Sequence, residues 1–113
     1  MARRVLGHRL ADLGYRVLEA ADGEEALRLL ERDGAQPDLL LCDVVLPGVG
    51  AREVAGLARQ ISRGLRVVFI SGHPESQLAQ SGLLDRGDLL LPKSLGPEEI
   101  ARRLRDVLDG AVL

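Results

Sequence analysis

Three residues of different chemical type follow separate apolar segments, and together they suit phosphoryl chemistry. Asp43 follows the apolar run Leu39–Cys42, Ser71 ends the segment RVVFIS, and Lys93 comes just after residues 88–91. A carboxylate can attack phosphorus as a nucleophile. An ammonium group and a hydroxyl donor can stabilise the negative charge on the transferred group. Each residue alone has an ordinary structural alternative: aspartate often caps a helix, serine is common at strand ends, and lysine is usually solvated.

The hydrophobic pattern around these residues predicts strands that alternate with helices. The predicted strands cover 15–20, 38–42, 66–71 and 88–91, and the predicted helices cover 2–13, 22 to about 33, 54–61, about 75–81 and 97–109. Such alternation favours a parallel sheet with right-handed crossovers and helices on both faces. The carboxyl ends of strands in an open parallel sheet gather at one edge. We therefore expect Asp43, Ser71 and Lys93 to converge there.

The predicted helices carry start signals and apolar stripes. Asp22 has Glu25 three residues later, the spacing of a capping box. Pro97 suits a first helical position, and the two glutamates after it favour the positive end of the helix. The predicted buried stripes are Val5, Leu6, Leu10 and Leu13 in the first helix, Val54, Leu57, Ala58 and Ile61 in the middle, and Ile100, Leu104, Val107 and Leu108 in the last.

Composition places the chain among globular proteins of one domain. It has 113 residues, 46% hydrophobic and 28% charged, with a net charge of −2 that gives no electrostatic reason to expect nucleic acid or anionic membrane as a partner. The cluster Arg102, Arg103 and Arg105 is expected to be a solvated helix face. The single cysteine, Cys42, excludes an intramolecular disulfide and is expected to be a small buried hydrophobe. No apolar run approaches a membrane span of ~18 residues, and the expected compartment is the cytoplasm.

A cofactor binder or enzyme built on such a parallel sheet finds no support in the motifs. The sequence has no G-x-G-x-x-G and no Walker loop. His8 and His73 lack a nearby set of ligands, and we expect both to be surface residues rather than catalytic bases.

Four segments resemble the receiver domains of two-component signalling, particularly those attached to hybrid sensor histidine kinases. They are LGYRVLEAADGEEAL at 13–27, PDLLLCDVVLPGVG at 37–50, VVFISGH at 67–73 and PKSLGPEEI at 92–100. The resemblance implies a flavodoxin-like (CheY-like) fold and a stoichiometric phosphoacceptor rather than an enzyme. It implies that Asp43 accepts a phosphoryl group from a histidine kinase or phosphotransfer protein, with Ser71 and Lys93 contacting the phosphate. It also implies Mg²⁺, held by Asp43 and by the backbone carbonyl of Val45.

The sequence departs from the family pattern in three places. The family opens with an apolar strand that ends in acidic residues, whereas Met1 falls within the first helix here. Leu90 stands where the family often has a tyrosine or phenylalanine, and Ser94 stands where it usually has a cis proline after the lysine. These departures keep a second hypothesis open: a degenerate interaction module or mis-started gene fragment that does not accept phosphate with Mg²⁺.

The absent first strand has a predicted structural consequence, because in the family it lies between the strands that correspond to 15–20 and 38–42. Its neighbours could pair directly, the segment 15–20 could detach from the sheet, or another chain could fill the gap. We expect a single receiver domain over residues 1–113, incomplete at its N-terminus and of low stability, since unpaired buried backbone groups cost about 1–3 kcal/mol each.

Overall fold

The computed structural model describes residues 3–32, 36–44, 50–72 and 89–109. The elements in these ranges are, in chain order, α1 (Arg3–Asp12), α2 (Gly23–Glu31), β1 (Leu39–Asp43), α3 (Ala51–Ile61), β2 (Arg66–Ser71), β3 (Leu89–Pro92) and α4 (Pro97–Leu108). The helix predicted over about 75–81 lies outside the described residues, as does His73. No helix in the described ranges is long and apolar enough to cross a membrane.

The three strands form one parallel sheet in the order β1-β2-β3. Leu39 lies opposite Arg66 at the start of the β1–β2 pair, and Asp43 lies opposite Ile70 at its end. In the β2–β3 pair, Ser71 lies opposite Pro92. The central strand is buried from residue 67 to residue 71, because a strand stands on each side of it and a layer of helices covers each face. This arrangement confirms the predicted α/β fold with a parallel sheet.

Alternate residues of β2 enter two separate cores. Val67 and Phe69 belong to the core under α2 and α3, here called the α2/α3 core, which also contains Cys42. Val68 and Ile70 belong to the core under α1 and α4, here called the α1/α4 core. Side chains of a strand point alternately to opposite faces, so a continuous apolar strand requires helices on both sides. The sequence prediction that Cys42 is a buried hydrophobe is confirmed, since it is 5% exposed.

The prediction of a strand over residues 15–20 is wrong. These residues have no regular secondary structure, and β1 has only β2 as a strand neighbour within the described ranges. Tyr15 and Val17 nevertheless pack against the α1/α4 core. Their alternation therefore reflects burial of every second side chain, whereas a strand also needs backbone partners for its N–H and C=O groups. The segment 15–20 therefore lies outside the sheet, which is one of the three arrangements expected from the sequence.

The predicted buried stripe of α3 is displaced around the helix. Val54 and Ala58 are buried as predicted, but Leu57 is 39% exposed and Ile61 is 38% exposed. Ala51 and Ala55 take their places, and the i, i+3, i+4, i+7 spacing is kept with residues 51, 54, 55 and 58. The smaller side chains allow α3 to lie close to the sheet, which amphipathic spacing alone does not reveal. In the first helix Leu6 and Leu10 are buried, but Leu13 lies in the turn after α1 and is 49% exposed.

The helix start signals act largely as the sequence predicts. The Glu25 backbone N–H donates to Asp22 Oδ1 over 2.8 Å, while the Glu25 carboxylate accepts from the N–H of Ala21 rather than from that of Asp22. Pro97 begins α4 after Gly96, and Ile100, Ala101 and Leu104 are its buried residues. Val107 and Leu108, which were also predicted to be buried, are half-buried.

The arginines of α4 form a solvated face, as predicted. Arg102 and Arg103 pair with Glu99 of the same helix, and Arg105 pairs with Asp109, the residue that follows the helix. A separate ion pair joins α1 to α4, where Arg9 Nε lies 2.5 Å from Glu98 Oε1. The backbone N–H of Glu98 and the Arg9 guanidinium both lower the pKa of the Glu98 carboxyl. The three arginines of this face are therefore paired with carboxylates that lie three or four positions away in the chain.

Candidate functional site

The ends of the three strands place the predicted site residues at one rim of the sheet. Asp43 is the last residue of β1, Ser71 is the last residue of β2, and Lys93 directly follows β3. The β1–β2 ladder continues one residue further, because the Val44 N–H donates to the Ile70 carbonyl over 3.0 Å. Since the strands are parallel and in this register, residues that are 28 and 22 positions apart in sequence come to the same edge.

The Lys93 ammonium contacts the Asp43 carboxylate directly. Lys93 Nζ lies 2.5 Å from Asp43 Oδ2, and the two side chains are 34% and 33% exposed. This distance is that of a charge-assisted hydrogen bond at its short end. Solvent and a small reagent can therefore reach the carboxylate, while the ammonium lies where it could neutralise charge added to it.

The backbone of Lys93 is tied to the central strand. Its N–H donates to the Ser71 carbonyl over 2.7 Å, which extends the β2–β3 ladder one step beyond β3. Gly72 lies beside the lysine stem, since a Cβ added to this glycine would be 3.9 Å from Lys93 Cδ. The stem thus passes a position that carries no side chain of its own.

Ser71 stands in the middle of the rim but is buried. The residue is 1% exposed, the lowest value for a polar residue in the described part of the chain. It lies in the central strand, between the strand that carries Asp43 and the strand that precedes Lys93. The structure thus places Ser71 between the two charged residues, and its contact with a phosphate stays a prediction.

The turn after β3 aims Lys93 without the cis proline of the family pattern. The Leu95 N–H donates to the Pro92 carbonyl over 3.1 Å, which closes a four-residue turn. All peptide bonds among the described residues are trans. Ser94 is exposed in this turn, and its side chain is not required for the approach of Lys93 to Asp43.

The metal ligands implied by the resemblance are only partly represented. Asp43 offers a carboxylate oxygen of the kind that Mg²⁺ prefers, but Val45 lies outside the described residues. Within the described ranges, no group of three or more His, Cys, Asp or Glu side chains could hold a metal ion. These described residues alone do not make a magnesium site.

Sequence reasoning missed the residues that orient Lys93. Pro92 and Leu95 contribute through the backbone carbonyl and N–H that close the turn. Their sequence signals are those of any loop, and their relation to Lys93 depends on the register of β2 with β3. Leu90, which replaces the usual aromatic residue, is half-buried and packs against the α2/α3 core. His8 is exposed, as expected for a surface histidine.

Comparison with known proteins gives the family of this fold and site. The model of the response regulator receiver domain matches residues 1–105. This chain belongs to the response regulator receiver domain family. It is 30% identical to the sensor kinase CckA of Brucella abortus over 88% of the chain and 11% of that protein. It is 35% identical to the transcriptional activator protein ExaE of Pseudomonas putida over 97% of the chain and 51% of that protein.

Solved structures agree with this family assignment. The receiver domain of the hybrid histidine kinase CckA superposes with a TM-score of 0.76 at 36% identity, over 94% of this chain and 88% of that one. The receiver fold with its open parallel sheet, predicted from the sequence, is thereby confirmed. This chain spans about a tenth of the length of the sensor kinase CckA and about half of the length of ExaE. Receiver domains are signalling modules.

Proposed function

We propose that this receiver domain accepts a phosphoryl group on Asp43 from a histidine kinase or a phosphotransfer protein. The observation that carries the proposal is the contact between the Lys93 ammonium and the Asp43 carboxylate at the rim of the sheet. Asp43 is one-third exposed at the end of its strand, so a donor can approach it. The positive charge beside it is suited to a carboxylate that becomes an acyl phosphate with additional negative charge.

The proposed step is a transfer between two nucleophiles. A carboxylate oxygen of Asp43 forms a bond to phosphorus while the bond between phosphorus and the donor imidazole nitrogen breaks, and the electron pair stays on that nitrogen. Lys93 stabilises the oxygens of the transferred group by charge, and Ser71 would donate its hydroxyl proton in a hydrogen bond to one of them. Each chain accepts one phosphoryl group, so the domain acts as a stoichiometric acceptor rather than an enzyme.

The donor, the compartment and the metal ion are those expected from the sequence. The donor is a phosphohistidine protein or a small acyl phosphate, and the place of action is the cytoplasm. Mg²⁺, with Asp43 and the Val45 carbonyl among its ligands, remains a prediction from the family resemblance. No contact of this domain with nucleic acid or membrane is proposed.

A phosphate-affinity gel with acetyl phosphate as the donor tests the proposal. We expect a slower band for the chain and none for Asp43→Asn. Asp38→Asn is the matched control, because Asp38 lies just before the other end of the same strand and is exposed. Circular dichroism and thermal unfolding must show that all three proteins are folded. A folded chain that gives no Asp43-dependent band would refute the proposal.

The second candidate is an interaction module that docks on a partner without accepting phosphate. It is favoured by the lack of an acidic cluster among the described residues and by Leu90 in place of an aromatic residue. This candidate predicts that partner binding is unchanged in Asp43→Ala. A large loss of binding in that variant would remove it.

A further inference from the structure

We infer that Leu95 is a positioning residue for Lys93, and that it acts by anchoring the turn in which Lys93 lies. This inference rests on the proposed function only for its kinetic consequence. Its structural content, a turn held by one side chain, stands on the contacts of residues 92–95.

The Lys93 side chain needs a fixed backbone to hold its ammonium in place. Its stem has four carbon atoms and high rotational freedom. Two backbone hydrogen bonds restrain its base: Lys93 N–H to the Ser71 carbonyl at 2.7 Å, and Leu95 N–H to the Pro92 carbonyl at 3.1 Å. The first bond closes the end of the β2–β3 ladder, and the second closes the turn that follows it.

Leu95 is the apolar side chain of this turn that enters a core. Pro92 and Ser94 are exposed, whereas Leu95 is half-buried and packs against the α1/α4 core. On the far side of the turn, α4 is held by Ile100, which is 0% exposed. The turn is therefore fixed at β3, at Leu95 and at the start of α4, and loss of Leu95 would release its middle part.

The α1/α4 core offers a matched control of the same residue type. Leu89 lies in β3, is half-buried and packs against the same core as Leu95. It stands four positions before Lys93 and takes no part in the turn. Leu89→Ala and Leu95→Ala therefore remove the same atoms from the same core, but only the second loosens the turn.

Amide hydrogen exchange tests the structural part without phosphorylation. The Lys93 amide is compared with the Val44 amide, which donates to the Ile70 carbonyl on the other side of β2. We expect Leu95→Ala to raise the ratio of Lys93 to Val44 exchange rates about tenfold, through local opening of the turn. Leu89→Ala should leave the ratio unchanged, since a general loss of stability raises both rates together. An equal ratio in the two variants would overturn the inference.

A double-mutant cycle tests the kinetic part. We expect Leu95→Ala to slow phosphorylation of Asp43 by acetyl phosphate about tenfold, because a misplaced stabilising group loses much of its effect. Leu95→Met should largely restore the rate, and Leu89→Ala should leave it near that of the parent. In a Lys93→Met background Leu95→Ala should have no further effect, because its influence passes through Lys93. The same loss in both backgrounds would refute the positioning role.

The two experiments separate failure of the inference from failure of the proposed function. If the folded parent chain shows no Asp43-dependent phosphorylation, the proposed function is refuted, while the exchange ratio still decides whether Leu95 holds the turn. If Leu95→Ala does not fold, the milder pair Leu95→Val and Leu89→Val is compared in the same way.

Discussion

Replacement of Lys93 by methionine separates a small effect on stability from a large effect on reactivity. Methionine keeps an unbranched stem of similar length and removes the charge that lies 2.5 Å from Asp43 Oδ2. The attraction between unit charges about 4 Å apart near a protein surface is about 4 kcal/mol at an effective dielectric constant of about 20. Side-chain ordering and solvent screening oppose this attraction, and measured exposed pairs contribute up to about 1 kcal/mol.

The Asp43–Lys93 pair is one-third exposed, so the measured range for solvent-accessible pairs applies. We expect the free energy of unfolding in urea to fall by about 1 kcal/mol or less in Lys93→Met. The rate of phosphorylation at Asp43 should fall about 10²–10³-fold, the typical loss when one donor to a developing negative charge is removed. The rate loss is larger because the ammonium interacts more strongly with the additional charge of the transferred group than with the carboxylate alone.

The assay is the time course of the phosphorylated band with acetyl phosphate, beside urea unfolding of the same samples. Lys93→Arg is the comparison that keeps the charge but changes the shape of the group. A phosphorylation rate in Lys93→Met within about threefold of the parent, in a folded sample, would refute the role given to Lys93. A loss of stability much above the exposed-pair range would instead show that the pair is a structural element.

Three further predictions concern the helices and the core. Asp22→Ala should lower the free energy of unfolding by about 1 kcal/mol through loss of the α2 cap, measured by urea unfolding, and no change would show that the cap adds nothing. Ala58→Leu should lower it by about 1–3 kcal/mol, because Ala58 is 0% exposed in the α2/α3 core, whereas Leu57→Gln should change it by less than about 0.5 kcal/mol. If urea unfolding showed a larger loss of stability for Leu57→Gln than for Ala58→Leu, the assignment of the buried face of α3 would be refuted. Burial, together with the charge of Asp43, raises the pKa of the Cys42 thiol from 9.0 to about 11, so at pH 8 its thiolate fraction falls about a hundredfold. Iodoacetamide should therefore alkylate the folded chain far more slowly than the urea-unfolded chain, and equal rates would contradict the burial.

The raised pKa of Cys42 also sets a direction for stability against pH. The folded state holds the thiol proton more tightly than the unfolded state between pH 9.0 and about 11. The stability that this group contributes is therefore present below pH 9 and is lost as pH rises through that interval.

The sequence by itself determined most of the described helices and strands of this domain, and the rim at which the proposed chemistry gathers. The apolar runs before Asp43, Ser71 and Lys93 are short and continuous, and such runs are typical of strands covered on both faces. Parallel strands then bring these residues to one edge, and the structure has Lys93 in contact with Asp43 there. The strands and helices themselves are local in origin, because hydrophobic periodicity and capping residues act within a few positions of the chain.

Tertiary structure alone decided which helix faces are buried and which backbone groups pair between strands. Tyr15 and Val17 alternate like a strand, yet they pack against a core without a ladder, because a ladder requires a partner that alternation does not specify. Leu57 fits the apolar stripe of α3, but close packing on the sheet selects Ala55 instead. Leu95 packs against the α1/α4 core, and the Ser71 carbonyl holds the base of Lys93 through the register of β2 with β3. That register joins residues more than 20 positions apart, and only the folded chain brings them together.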